Sequence, residues 1–555
     1  FDLLFPRVVS VPQPIVDSTR AQALAPPVAQ EPLWHEASSR VLHDTSTALL
    51  AETADIVWPD PSNGSNSWAL GPNSTESRRA ILANDLHLGY SLPALWFPIQ
   101  LSGPTVNVFG ASLPGAPGVV VGFNQKMGWA VTNGADDVLD WYQLRFRDEH
   151  RQEYLFDDAW RPVVTHEETI LVVGGEPESI KIRETHIGPI VFDSGDRPGI
   201  VDIPAGLVPQ WTGSLASNEL KTFLLLNSAT KADDCFAALE TYVAPSQNFT
   251  CADSSGQVSY LHAGLFPNRD GRDGRVVTEA SASDDLWHGF LPRSDSPQAK
   301  GIRDSIVTAN QAPIAGANIS RFGWFYASPY RAMEIKRRLS EKKLWKPHEI
   351  VAMQGGDESL HGEWFRDTVI RLFPKVEPSV PLADCLDSGA MTELKDWDGR
   401  YRPESKEAAV LTAWWRAFEQ ALWTDMIGPS EFVLWPQQWR LHELVESDTE
   451  SAIWDRRETP QVERLEDRLR SAAVQACVEL KSATGQRQPI WAEYQKTSIR
   501  HTSRIPGLGR ESRKAGGVAE SIFANKGNHG PTWKMVVAFE KEPKAWFMIP
   551  GGISG

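Results

Sequence analysis

Ser65, in the run Asn63-Gly64-Ser65-Asn66-Ser67-Trp68-Ala69-Leu70, has a type suited to nucleophilic catalysis. A serine hydroxyl is a weak nucleophile and needs a base. On its own, Gly-Ser-Asn is also ordinary loop chemistry. Downstream, His87 closes Asn84-Asp85-Leu86-His87, and Asn248 lies in Pro245-Ser246-Gln247-Asn248-Phe249. Each has a plainer alternative: a satisfied core or surface histidine, and a turn residue or the glycosylation sequon Asn248-Phe249-Thr250. Asp136-Asp137-Val138-Leu139-Asp140 offers carboxylates and a carbonyl, hard oxygen ligands of the kind Ca²⁺ takes. An acidic loop without metal reads equally well from these residues.

These groups must be positioned by a chain of 555 residues, long enough to bury large cores. Charged residues at 23% and hydrophobic residues at 41% describe a globular protein rather than a disordered one. The 22 tryptophans suit aromatic-rich cores or a ligand cleft. The net charge of −16, from 55 basic and 71 acidic residues, argues against a nucleic-acid partner. No apolar run reaches the ~18 residues of a transmembrane segment. The four cysteines show neither CxxC nor zinc-ligand spacing, and a disulfide framework is not implied, although one bridge is compatible with them.

Residues 1–30, rich in proline and alanine, read as a poorly structured lead-in, and 31–57 as a short helix with Leu42, Leu49 and Leu50 at helical spacing. Trp58-Pro59-Asp60-Pro61-Ser62-Asn63-Gly64 is a breaker-rich stretch, expected as an exposed loop that delivers the chain to Ser65. From Ser65 to about 310 the reading is mostly strand. Gly118-Val119-Val120-Val121-Gly122 is a buried run, and Ser179 to Thr185 alternates as a half-exposed strand should. From about 327 to 482 the pattern is mainly helical. Leu411, Trp414, Phe418 and Leu422 make one apolar stripe, and Val462, Leu465, Leu469, Ala473 and Cys477 another. Strands return near 535–539 and 546–549. This order predicts an α+β protein built on antiparallel sheets.

Together the Ser65, Asn84–Leu88, Trp129–Asn133 and Pro245–Phe249 segments resemble the penicillin acylase family of N-terminal-nucleophile hydrolases. Further matches are Gly188-Pro189-Ile190-Val191, Thr308-Ala309-Asn310-Gln311, Tyr330-Arg331-Ala332, Trp397-Asp398-Gly399 and Gly530-Pro531-Thr532-Trp533. The resemblance implies an αββα sandwich of stacked antiparallel sheets with a large helical insertion. It divides the chain into 1–64, the remnant of an upstream (α) subunit and spacer, and 65–555, the catalytic (β) subunit. The family's upstream subunit is much longer and relatives continue beyond residue 555, so both ends read as truncated. It also implies cleavage before Ser65, after which the α-amine of Ser65, a group that ordinarily titrates at about 7.7–8.0, serves as base. His87 is then expected to hydrogen-bond near the serine, and the Asn133 backbone N–H and the Asn248 side chain to face the oxyanion, with Arg269 orienting Asn248. Asp137, the Leu139 carbonyl and Asp140 match structural calcium ligands, and the remaining glutamate belongs to the upstream subunit. Leu88 and Val121 stand where phenylalanines grip a phenylacetyl ring, which points to aliphatic acyl groups. The implied reaction is hydrolysis of small N-acyl amides, such as β-lactam side chains or N-acyl homoserine lactones, by a processed two-chain heterodimer. The implied compartment is periplasmic or extracellular.

No G-x-S-x-G elbow and no HExxH occur, so a conventional serine hydrolase or a zincin is disfavoured. The reading that competes is a catalytically inactive relative acting as a binding protein.

Overall fold

The computed structural model describes residues 4–6, 12–16, 64–191, 206–373, 390–428, 434–456, 459–485, 489–505 and 507–553. The helix expected over 31–57 and nearly all of 1–64 lie outside them. The chain enters a first sheet with β1 (Gly64–Leu70) and β2 (Ile81–Gly89). It crosses to a second sheet through β3 (Phe97–Ser102), β4 (Asn107–Ser112), β5 (Val121–Asn124) and β6 (Met127–Asn133). After an excursion it lays down helices α1 (Glu219–Ser228) and α2 (Ala232–Leu239), then β7 (Gln247–Asp253), β8 (Val258–Ala263) and β9 (Gln298–Ile302). It steps back to the first sheet with β10 (Ser305–Thr308). Helices α3 (Tyr330–Ser340), α4 (Pro347–Met353), α5 (Leu360–Leu372), α6 (Ala390–Asp396), α7 (Lys406–Met426), α8 (Gln438–Ser447) and α9 (Leu465–Thr484) follow, and β11 (His529–Phe539) and β12 (Pro543–Met548) complete the first sheet. The sheet orders are β10-β1-β2-β11-β12 and β9-β8-β7-β6-β5-β4-β3, antiparallel throughout.

Burial on both faces explains the strand compositions. On β1, Trp68 and Leu70 pack outward against Ala332, Ile335, Ile350 and Met353 of α3 and α4. Ala69 faces the other way, joining Leu82, Leu86, Val121, Ala130, Tyr260, Trp533 and Phe539 between the sheets. Outside the second sheet, Trp129, Phe249 and Cys251 pack on Leu226, Ala232 and Leu239 of α1 and α2. The four layers make an αββα sandwich. A Cys235–Cys251 disulfide ties α2 to β7, a bridge the cysteine spacing did not reveal.

Helices α7 and α9 pair through the expected stripes. Leu411, Trp414, Phe418 and Leu422 meet Leu465, Leu469 and Ala473, and the Trp414 indole donates to the Leu469 carbonyl at 2.8 Å. Ser405 caps α7 by accepting from Ala408 N–H at 3.1 Å, and Gly485 ends α9 at φ 73°. Val462 does not belong to the stripe: it precedes α9 and is 80% exposed. Two other expectations need correction. Strand Glu178–Glu184 pairs with Val164–Ile170 as a two-stranded ribbon that is exposed over most of its length. Of the valine run only Val121 is in a strand. Val119 is buried in the turn before it.

Candidate active site

Gly64 and Ser65 open the interior strand β1 and are buried, not carried on an exposed loop as expected from the breakers before them. Side chains alternate along a strand, so Ser65 shares the face of Ala69 and looks between the sheets, while Asn66 looks toward the helices. The Ser65 hydroxyl donates to the Gly64 carbonyl oxygen at 2.5 Å. The hydroxyl oxygen therefore lies against the one carbonyl group whose attack would sever the chain before Ser65.

The backbone of Ser65 is held from outside the strand. Its N–H donates to Asn310 Oδ1 at 2.6 Å, and its carbonyl accepts from Arg331 Nη1 at 2.8 Å. Arg331, in the first turn of α3, also donates to Asn66 Oδ1 (2.6 Å) and Asn310 Oδ1 (3.0 Å). Burial pushes the Arg331 guanidinium down to about 10, with Asp85 and Glu520 pulling the other way, so it keeps its charge at neutral pH. Asn310 sits at φ 70°, a left-handed conformation that asparagine tolerates better than most residues. Gln311 stabilises this turn by accepting from Ala309 N–H and donating to the Val307 carbonyl. A Cβ on Gly64 would come within 2.9 Å of both Arg331 Nη2 and Asn310 Oδ1, so this clamp leaves room only for glycine before the serine.

Asn310 Nδ2 donates to the Asn133 carbonyl at 3.0 Å, and Asn248 Nδ2 reaches the same oxygen at 3.2 Å. Asn310, not Asn248, is the amide that touches Ser65. Asn248 is fully buried, which also removes the glycosylation reading, and its Oδ1 accepts from Tyr260 and His262. Arg269 does not orient it. Its guanidinium spans both oxygens of Asp140 at 2.8 Å and reaches Asp137 Oδ1 at 3.2 Å. The expected pairing of asparagine with arginine is thus present, but it is made by Asn310 and Arg331. The signal was in the sequence: both stand in matched segments, and an asparagine after the β-branched run Ile306-Val307-Thr308 invites a left-handed turn.

His87 lies across from Gly64 in the β1–β2 ladder, on the helix-facing side, with Nε2 3.1 Å from Asp85 and 3.4 Å from Asn66 Nδ2. Burial holds this imidazole down at about 4 against the pull of Asp85, so it is neutral at pH 7. It supports the strand beside Gly64 through Asn66 rather than contacting the Ser65 hydroxyl. Leu88 and Val121 both join the cluster between the sheets, on the face that Ser65 shares. Aromatic rings stand in that cluster too: Trp96, Trp533, Phe109 and Phe123, with Phe109 packed 5.2 Å from Phe547.

A serine thus heads a buried strand, gripped through its N–H and carbonyl by an Asn–Arg pair. The family model described as penicillin amidase matches residues 13–555. The chain belongs to the penicillin amidase family. It is 28% identical over 448 residues to the acyl-homoserine lactone acylase QuiP of Pseudomonas aeruginosa, covering 74% of this chain and 52% of that protein. It is 28% identical over 347 residues to penicillin G acylase of Escherichia coli, covering 60% of this chain and 39% of that one. The chain thus spans about half the length of the curated relatives it matches. Among solved structures, a thermostable penicillin G acylase from Alcaligenes faecalis superposes with a TM-score of 0.67 at 19% identity, covering 88% of this chain and 90% of that one. The shared architecture is the N-terminal-nucleophile hydrolase fold.

The calcium expectation meets an obstacle in this chain. Arg269 already neutralises the carboxylates proposed as ligands, and Trp287 donates to Asp140 Oδ2 at 2.7 Å. Burial works against the Arg269 charge, yet Asp137 and Asp140 hold it above the ordinary range, while burial raises Asp137 to about 6. Leu139 opens a strand paired with Trp211. Among the described residues no group of three or more His, Cys, Asp or Glu could hold a metal. The residues present do not fit a divalent cation, because a guanidinium occupies its place. No described helix is long and apolar enough to cross a membrane.

Proposed function

We propose that this chain is a self-processing amidohydrolase that cleaves small N-acyl amides with Ser65 as its N-terminal nucleophile. The observation that carries the reading is the grip of Asn310 and Arg331 on Ser65, with the hydroxyl turned onto the Gly64 carbonyl. In processing, Ser65 Oγ adds to that carbonyl and the Gly64–Ser65 C–N bond breaks, leaving an ester and a free Ser65 amine. Water then hydrolyses the ester and releases the Gly64 carboxylate. In turnover the new amine takes the hydroxyl proton as Oγ attacks the substrate carbonyl. Asn310 Oδ1, which accepts from the Ser65 N–H before cleavage, is placed to hold this amine afterwards. The second N–H of the Asn310 amide, together with the Asn133 backbone N–H, stabilises the oxyanion. The amine product leaves after taking a proton, and water deacylates the serine.

The acyl group binds between the sheets. Leu88 and Val121 line that space with aliphatic carbon, each buried methylene contributing about 0.8 kcal/mol, which favours linear acyl chains. The acyl-homoserine lactone acylases among the relatives support this preference. The upstream piece stays bound after cleavage. Leu4 and Ile15 are buried in the cores, Val16 N–H donates to the Pro313 carbonyl, and Lys336 donates to Gln13. The disulfide fits an oxidising compartment.

Intact-mass and N-terminal analysis of the purified protein tests the mechanism: a chain beginning Ser65-Asn66-Ser67 should appear, and Ser65→Ala should remain uncut and inactive. Amide hydrolysis by an uncut chain would overturn it.

A further inference from the structure

The net charge of the chain is −16, yet between Lys496 and Lys514 the balance reverses, with six Lys and Arg against Glu511 alone. The fold turns this stretch into a hairpin. Strand Thr497–His501 pairs antiparallel with Arg510–Arg513, and Arg500 and His501 pair on the other side with Ser91 and Leu92. The first strand is anchored by its inward side chains: Ile499 packs with Tyr90 and Leu92, and the Thr497 hydroxyl accepts from Asn525 Nδ2 at 2.8 Å. The second strand is the edge of this small sheet and is exposed at all four residues. Arg500, Arg504, Arg510, Arg513 and Lys514 are all exposed, and none of them forms an ion pair among the described residues. At the far end the Leu508 N–H donates to the Ile505 carbonyl at 3.3 Å and Gly507 takes φ 88°, which closes a tight turn. Ile505 and Leu508, 56% and 40% exposed, are thereby presented to solvent among the arginines.

We propose that this hairpin docks the protein on a lipid bilayer whose surface carries anionic headgroups. Five unpaired cations on one small sheet repel one another and do nothing for the fold. An array of lipid phosphates supplies the partners they lack, and the planar fork of arginine matches phosphate oxygens in pairs. Basic clusters of roughly four to eight residues act in this way, each residue strengthening binding about fivefold near an anionic surface. The acidity of the whole chain does not prevent it. At physiological salt charges are screened beyond about 8 Å, so the bilayer meets the field of the hairpin rather than that of the distant carboxylates. The apolar pair selects lipid over a soluble polyanion. Ile505 and Leu508 gain by leaving water at the boundary between headgroups and acyl chains, whereas a nucleic acid or a polysaccharide offers charge without an apolar layer. The arginine stems lie along the same boundary while their guanidinium heads stay with the phosphates. The inference does not depend on the reaction proposed above.

The test is cosedimentation of the purified full chain with sucrose-loaded vesicles, made of phosphatidylcholine alone or with about one-third phosphatidylglycerol. The protein should pellet with the anionic vesicles only, and its partition coefficient should fall at least ~10-fold between about 0.1 and about 0.5 M NaCl. Arg510→Glu with Arg513→Glu should lower that coefficient at least ~20-fold, since two attractions of about fivefold each are lost and two repulsions appear. Ile505→Ser with Leu508→Ser should lower it ~5- to 10-fold at unchanged charge. All four positions are exposed, so both variants should keep the wild-type urea midpoint. Wild-type protein that stays in the supernatant with anionic vesicles at low salt would overturn the proposal. So would vesicle binding that survives the two glutamates. Retention on immobilised heparin, with vesicle binding that the two serines leave unchanged, would overturn it in favour of a soluble polyanion.

Discussion

Replacing Asn310 by aspartate separates what its oxygen does from what its nitrogen does. The oxygen accepts from Ser65 N–H at 2.6 Å and from Arg331 at 3.0 Å, and a carboxylate keeps both, the second as a stronger charge-assisted contact. The nitrogen donates to the Asn133 carbonyl at 3.0 Å, and a carboxylate would set oxygen against oxygen there. Leaving that acceptor short of a donor costs about 1–3 kcal/mol, part of which the Arg331 contact offsets. Aspartate tolerates φ 70° much as asparagine does, so stability should fall by no more than about 2 kcal/mol. Catalysis should fall much further. Loss of an oxyanion donor is worth ~10²- to 10³-fold in kcat, about 2.7–4 kcal/mol of barrier. Asn310→Gly and Asn310→Ala bracket the backbone contribution, glycine being the more stable by about 1 kcal/mol because alanine resists the left-handed region. The assay is kcat per titrated serine on a chromogenic amide, with urea denaturation alongside. An Asn310→Asp enzyme within about threefold of wild-type kcat would refute the reasoning, because the amide N–H would then have no part in the transition state.

Gly64→Ala should slow cleavage before Ser65 by at least ~10-fold, since its Cβ would crowd Arg331 and Asn310; an electrophoretic time course that matches wild type would count against the clamp. Excess EDTA should leave the melting temperature unchanged, whereas Arg269→Met should lower stability by about 3–5 kcal/mol by leaving Asp137 and Asp140 unpaired; a chelator-sensitive wild type would restore the calcium reading. The folded His87 value of about 4 lies below the ordinary 6.5, so between those values the unfolded chain takes up a proton that the fold refuses. Stability therefore drops on acidification through this window, by at most about 3 kcal/mol from this group, and His87→Gln should flatten the urea-midpoint profile from pH 7 to pH 5. Hexanoyl and decanoyl p-nitroanilides should show higher kcat/KM than the phenylacetyl compound; a phenylacetyl preference would mean that Trp96, Phe109 and Phe123 form the acyl wall.

The architecture was legible because burial leaves a strong imprint on composition. The helical stripes on α7 and α9 and the apolar run of β11 carry their own periods, and these survive whatever packs on them. The strands that carry Ser65 and Asn133 were legible because the residues beside each in sequence are also beside it on the strand. Asn310 and Arg331 reach Ser65 from 245 and 266 residues away, a proximity created only when β10 lies against β1 and α3 covers the sheet. The resemblance named Asn248 as an oxyanion donor, whereas the amide that bonds the Ser65 N–H is that of Asn310, which the fold alone brings there. Arg269 was misassigned for a similar reason: a buried arginine goes to the nearest carboxylates, and only the fold shows that Asp137 and Asp140 are these. The alternating stretch at 178–184 does form a strand, but the ribbon it makes with 164–170 is exposed over most of its length.

The alternation of β1 bears on how this site can diversify. The groups that hold the Ser65 backbone approach from the edge strand and the helix layer, while those lining the acyl space come from between the sheets. A change at Leu88 or Val121 therefore alters the packing between the sheets without removing any hydrogen bond of the Asn310–Arg331 grip. On the proposed function, substrate preference could then change, in nature or in a directed library, with the groups around Ser65 kept.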